Sequence, residues 1–186
     1  MKQFPQLNFK SASISHLILT TQDVQLIRLY FVEKKNPFTQ DCAYLAVGIS
    51  DVNVVQCLRQ EGLLKLDYAL LEYAVMINQW NVIQLLCENI STPLDNTLLN
   101  HATEGGNEDV AISLMEHYKL LPQDGTMHFA IQKGCLNLVR YLIEKFHFKV
   151  GKDYIALAQK NNHPQLTEYF SAFTDSVQAQ PVRFYR

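Results

Sequence analysis

Apolar positions in this chain recur at helical spacing in pairs of short stretches, and the pairs themselves recur every 28 residues. The clearest copy runs from Gly125 to Lys145, GTMHFAIQKGCLNLVRYLIEK. Met127, Ala130 and Ile131 share one face of a first helix, and Leu138, Val139, Leu142 and Ile143 share one face of a second. Between them, in Lys133-Gly134-Cys135, Gly134 can take the left-handed conformation that ends one helix and lets the next begin at once. Neither helix can bury its stripe alone.

In register, Ser13, Asp41, Ala69, Thr97, Gly125 and Asp153 open successive units with no insertion. Five residues on stand Ile18, Ala46, Ala74, Ala102, Ala130 and Ala158, small side chains in most copies, where helices approach closely. Thirteen residues on stand Leu26, Val54, Val82, Val110, Leu138 and Leu166; seventeen on stand Tyr30, Leu58, Leu86, Leu114, Leu142 and Phe170. Gln25, Asn53, Asn81, Asp109, Asn137 and Gln165 fall in the first turn of the second helix, where unpaired amides need partners. Turn chemistry agrees with the period. Asp23 and Asp51 suit N-caps, Gly106-Asn107 repeats the device, and Pro164 suits a first helical position.

This pattern predicts an all-α solenoid of six stacked helix-turn-helix repeats, 13–40, 41–68, 69–96, 97–124, 125–152 and 153–173. Residues 1–12, with Phe4, Leu7 and Phe9, are expected to cap the open side of the first repeat. Residues 174–186 form a polar C-terminal tail without period; its end, Pro181 to Arg186, reads as a cap on the last repeat or as a docking peptide. The connections are short, so a single stack of twelve helices is expected, roughly 50 to 60 Å long at helix spacings of about 8 to 10 Å.

The copy at 125–152 resembles the ankyrin repeat. Met127-His128-Phe129-Ala130, Gly134 and Leu138-Val139-Arg140-Tyr141-Leu142 follow the family motif T-P-L-H-x-A-A, glycine turn, apolar helix. The resemblance extends from Ser13 to about Phe173, although the motif histidine survives only as His16 and His128. It implies a binding protein without catalysis. One departure is systematic: the family unit is about 33 residues, and the segment missing here corresponds to the β-hairpin finger between units. By the same resemblance, His128 hydrogen-bonds locally to order neighbouring units.

Composition narrows the function classes. The 186 residues are 48% hydrophobic and 18% charged, the balance of a folded globular chain rather than a disordered one. Sixteen basic and eighteen acidic residues give a net charge of −2, which does not point to nucleic acid. Cys42, Cys57, Cys87 and Cys135 form no close-spaced pair and read as reduced thiols, so a cytoplasmic setting is expected, the host cytoplasm if the protein is a secreted effector. MKQFPQLNFK has no signal-like apolar run. Residues 68–87 carry only Glu72 as a charge, but Asn78, Gln79, Asn81 and Gln84 interrupt them, so no membrane span is expected.

Candidate chemistry is sparse. Gly151-Lys152 lacks the earlier glycine of a phosphate loop. The histidines at 16, 101, 117, 128, 147 and 163 never fall three to five apart and no C-x-x-C occurs, so neither a metal nor a cofactor is expected. His128 with Cys135 is the most tempting nucleophile pair, yet each has a structural reading, and no catalytic residue is assigned. The sole tryptophan, Trp80, reads as a half-buried packing residue.

Positions the stack does not need are more telling. In ankyrin-like units the end of the first helix and the residue before it face the concave side, which nominates Ile49, Tyr68, Met76, Ile77, Glu104, Gln132 and Lys133 as partner-binding residues. Ile49, Tyr68, Met76 and Ile77 would make an apolar patch; alternatively, the short connections tilt the helices and bury them. The expected function is protein binding by a monomer, as an adaptor, inhibitor or effector. The alternative is a regulatory subunit of an enzyme, or an enzyme with a site built from His101, His128 and Cys135.

Overall fold

The computed structural model describes residues 14–49 and 51–178, with side chains through Phe173. Among the described residues every regular element is helical. First helices of the pairs are α1 (Ile14–Thr20), α3 (Gln40–Gly48), α5 (Tyr68–Met76), α7 (Thr97–Glu104), α9 (Asp124–Lys133) and α11 (Lys152–Lys160). Second helices are α2 (Val24–Arg28, continued by a π-helical turn over Leu29–Glu33), α4 (Val52–Gln60), α6 (Trp80–Asn89), α8 (Glu108–Tyr118), α10 (Leu136–Phe146) and α12 (Pro164–Gln178). All six second helices begin 28 residues apart, at positions 24, 52, 80, 108, 136 and 164. No strand occupies the connections 34–39, 61–67, 90–96, 119–123 and 147–151, where the hairpin finger of a longer repeat would stand.

The turn inside each pair explains the regular starts. Gln22, Asn78, Gly106, Gly134 and Asn162 all have positive φ, between 57° and 75°. They share one repeat position, and glycine and asparagine are the residues that tolerate it best. The next amide then points back to the small-residue column: the N–H groups of Gln79, Asn107, Cys135 and His163 donate to the carbonyls of Ala74, Ala102, Ala130 and Ala158 at 2.8 to 3.0 Å. This bond closes the first helix in a Schellman-like manner. N-caps open the second: Asp23 accepts from the amides of Gln25 and Leu26, and Asp51 from those of Asn53 and Val54. Pro164 occupies the first position of α12, where its missing N–H costs nothing.

The chain groups into two compact units divided between Leu94 and Asp95. In the first, α1 packs on α3 and α3 on α5, while α2 packs on α4 and α4 on α6. In the second, α7 packs on α9 and α9 on α11, while α8 packs on α10 and α11 on α12. Each unit is therefore a run of three ankyrin-like helix pairs, first helices beside first helices and second beside second. The core columns are where the period placed them. Ala46, Ala74, Ala102, Ala130 and Ala158 are fully buried, as are Leu58, Leu86, Leu114, Leu142 and Phe170. Trp80 is half-buried.

The last helix departs from the expected tail. α12 continues to Gln178, through residues 174–178 that the apolar period leaves out. A helix needs no core-facing residue to extend, and no glycine or proline interrupts it before Pro181. The expected N-terminal cap, 1–12, and the remainder of the tail, 179–186, lie outside the described residues.

Candidate functional site

The C-terminal ends of the first helices are built by turns whose carbonyls are held across repeats. In the first unit, Gln22 Nε2 donates to the Ile49 carbonyl at 3.4 Å and Gln79 Nε2 to the Gly48 carbonyl at 3.3 Å. In the second, His163 Nε2 donates to the Gln132 carbonyl at 2.9 Å. Each bond satisfies one of the carbonyls that a helix leaves unpaired at its end. Of the side chains at these carbonyls, that of Gln132 is exposed and that of Ile49 half-buried.

The nominated residues divide between the units. In the first, Ile49 caps α3, and Met76 and Ile77 close the neighbouring helix α5; all three are half-buried. Because α3 and α5 pack side by side, these three stand at the same end of adjacent helices. Tyr68, also half-buried, opens α5 instead, so it lies about 12 Å along the axis from Met76 at 1.5 Å per residue. In the second unit, Glu104 ends α7 half-buried, and Gln132 and Lys133 end α9 exposed.

A different set of side chains joins neighbouring repeats. The Glu108 carboxylate, in the first turn of α8, accepts from the Asn137 side-chain amide at 2.7 Å and from the backbone amides of Asn137 and Leu138 at 3.1 and 3.4 Å. One repeat thus caps the N-terminus of the next repeat's helix α10, where a negative charge is favoured. Asn137 was placed correctly in the first turn, but its partner is 29 residues away. Arg28 and Glu61 link the first and second repeats at 2.9 Å.

The tempting nucleophile pair has the wrong chemistry. His128 is exposed on α9, its Nδ1 donating to the Asp124 carbonyl at 3.3 Å and its ring meeting the Tyr154 ring of the next repeat edge-on at 5.5 Å. Cys135 is buried, and burial, reinforced by the Glu108 charge and opposed by Lys133, pushes its thiol up to about 11. A thiol held protonated is neither a nucleophile nor a ligand at neutral pH. Its shift has a definite sign. Unfolded, the thiol ionises near its ordinary value of 9.0, whereas the native one keeps its proton to about 11. Its contribution to stability is therefore complete below pH 9 and lost as the pH rises from about 9 to about 11. Urea unfolding at about pH 8 and about pH 11 should show a smaller loss in Cys135→Ser than in the parent. Equal losses would contradict the shift.

Among the described residues no cluster of three or more His, Cys, Asp or Glu side chains could hold a metal ion. Among the same residues no helix is long and apolar enough to cross a membrane. One open cleft on a repeat junction is lined by Asp124, His128, Lys149, Gly151, Asp153 and Tyr154, and another, lined by Gln159, His163, Thr167 and Ser171, lies within the last repeat.

The stacked pairs, small-residue column and left-handed turns together define an ankyrin-like repeat array. The family model described as ankyrin repeats, in three copies, matches residues 71–153. That span covers the third to fifth 28-residue repeats, and the same helix pairs continue on both sides of it. No curated protein shows a match to the sequence. Ankyrin repeats indicate a protein–protein interaction module.

Proposed function

We propose that this chain is a non-catalytic binding protein that works in the cytoplasm and takes its partner on the face expected to be concave, lined by the ends of the first helices. The observation behind this reading is a contrast between columns. The small-residue column is alanine in five of six repeats and the apolar columns stay apolar or aromatic, whereas Thr20 and Thr21, Gly48 and Ile49, Met76 and Ile77, Glu104 and Gly105, Gln132 and Lys133, and Lys160 and Asn161 change class from repeat to repeat. Packing needs the first set; recognition is free to use the second.

Within the first unit the half-buried Ile49, Met76 and Ile77 supply an apolar centre of the kind that anchors a partner, with Tyr68 at the other end of α5. Glu104, Gln132 and Lys133 supply polar contacts in the second. An adaptor, an inhibitor and an effector would all use such a surface. The test is affinity capture from cell lysate with the intact chain beside Tyr68→Ser, Ile77→Ser, bound proteins being identified by mass spectrometry. A partner lost from a variant that melts like the parent supports the reading. A partner kept by both moves the site elsewhere, and a variant that melts much lower makes these side chains part of the core.

A further inference from the structure

The turn that follows α9 is held from both neighbouring repeats. His163, of the following repeat, donates from Nε2 to the Gln132 carbonyl at 2.9 Å, and its ring stands so near Gly134 that a Cβ there would lie 2.7 Å from Nδ1. Glu108, of the preceding repeat, accepts from the amides of Asn137 and Leu138 at 3.1 and 3.4 Å, a cap that Cys135 does not provide from its own N-cap position. The stretch from Gln132 to Leu138 is thus fixed at both ends. One half of the device recurs in the first unit: Gln79 holds the repeat position of His163 and donates to the Gly48 carbonyl, and in both cases the acceptor lies 31 residues earlier.

A turn held in this way presents its side chains without having to order them on binding. The exposed ones are Gln132 and Lys133. α11 packs beside α9 and ends on Lys160, also exposed, at the repeat position of Gln132. Lys133 and Lys160 therefore stand at the same end of adjacent helices, one helix spacing of about 8 to 10 Å apart. Among the described residues neither is in an ion pair. On the other side of α9 the charge changes sign. Glu104 ends α7, Asp109 is exposed in the first turn of α8, and the Glu108 carboxylate is taken up by Asn137 and Leu138.

We propose that the turn of the fifth repeat is a preorganised reading edge for an acidic segment of the partner, whose carboxylates meet Lys133 and Lys160, with His163 and Glu108 as positioning residues. This rests on the reading of the chain as a protein-binding module. The segment runs from α9 towards α11, away from Glu104 and Asp109. An extended chain rises about 3.3 Å per residue, so acidic side chains two or three residues apart span the two lysines.

The test is a titration of the full chain with a blocked oligoglutamate peptide, followed in nitrogen–proton correlation spectra, with oligolysine and an oligonucleotide of equal length as comparisons. Under the proposal, oligoglutamate shifts the amides of 132–134 and 160–161 and leaves those of α3 and α5 in place. Lys133→Gln and Lys160→Gln each weaken binding about threefold and flatten its salt dependence. His163→Ala weakens it with the salt dependence unchanged, because both lysines remain, and His163→Gln, which supplies the amide donor that Gln79 uses, restores it. Glu108→Gln separates charge from position: losing a negative charge by itself favours an acidic ligand, whereas a loosened turn binds less well, and the proposal expects the loss. The exposed Lys133→Gln and Lys160→Gln chains keep the test decisive if His163→Ala melts early. Unshifted amides at 132–134 and 160, binding indifferent to both lysine substitutions, or an oligonucleotide bound more tightly than oligoglutamate each overturns the proposal. A lysate partner lost with Ile77→Ser but kept by Lys133→Gln leaves the protein-binding reading in place and removes this one.

Discussion

An Ala102→Glu chain is expected to lose most of its stability. Ala102 is fully buried in α7, in the small-residue column, and its carbonyl accepts the Asn107 amide at 2.8 Å to close the turn into α8. α9 packs directly against α7. A carboxylate there would be buried between packed helices; a buried charge left uncompensated costs about 3–5 kcal/mol, and overpacking adds about 1–3 kcal/mol. That sum approaches the whole stability of a typical domain, about 5–15 kcal/mol. Ala156→Glu makes the control, because Ala156 is exposed on α11 and the same substitution should there stay within about 0.5 kcal/mol. Urea unfolding followed by helical circular dichroism separates the two. If Ala102→Glu unfolded with the parent, the repeat register would be wrong.

Gly134→Ala should produce the second largest loss, and comparison with another glycine shows why. Gly134 and Gly106 both have φ of 75°, a left-handed conformation that costs a residue with a Cβ about 1–2 kcal/mol. At Gly106 an added Cβ meets nothing within 4 Å. At Gly134 it would stand 2.7 Å from His163 Nδ1 and 2.8 Å from Cε1, closer than any tolerated contact. The ring cannot simply retreat, because His163 holds the Gln132 carbonyl at the end of α9. Gly134→Ala is thus expected to lose about 2–4 kcal/mol, combining the backbone term with the displaced hydrogen bond, against about 1–2 kcal/mol for Gly106→Ala. In Gly134→Ala, His163→Ala the clash is gone, so the double variant should be no less stable than Gly134→Ala alone. A Gly134→Ala chain matching Gly106→Ala would show that the ring moves aside freely.

How much of this was legible varies by residue. Gly134 could be read as a turn because glycine marks a left-handed position openly. Gln22, Asn78 and Asn162 adopt the same conformation without that mark, and only the 28-residue register connects them to it. Asp23 and Asp51 were readable as caps because their acceptors serve amides two and three residues on. Glu108 was not, because what it caps lies one repeat away. In the candidate site, Ile49, Met76 and Ile77 fall at one end of neighbouring helices as their columns implied, while the nine-residue length of α5 sets Tyr68 apart from them. Cys135 looked like a possible nucleophile from its neighbours in sequence; its burial and the Glu108 charge, both tertiary, keep it protonated.

The sequence by itself determined the helix pairs, their common start, the turn that joins them and the columns that form the core. These depend on side chains within a few residues of one another and on a period that repetition makes unmistakable. Only the tertiary structure decided which members of a column are covered, which polar groups bridge repeats, and where the chain divides into two compact units. Burial of a repeat's face depends on whether another repeat lies against it. Ile14 and Leu70 stand in the same column with the same chemistry, and only the neighbour differs.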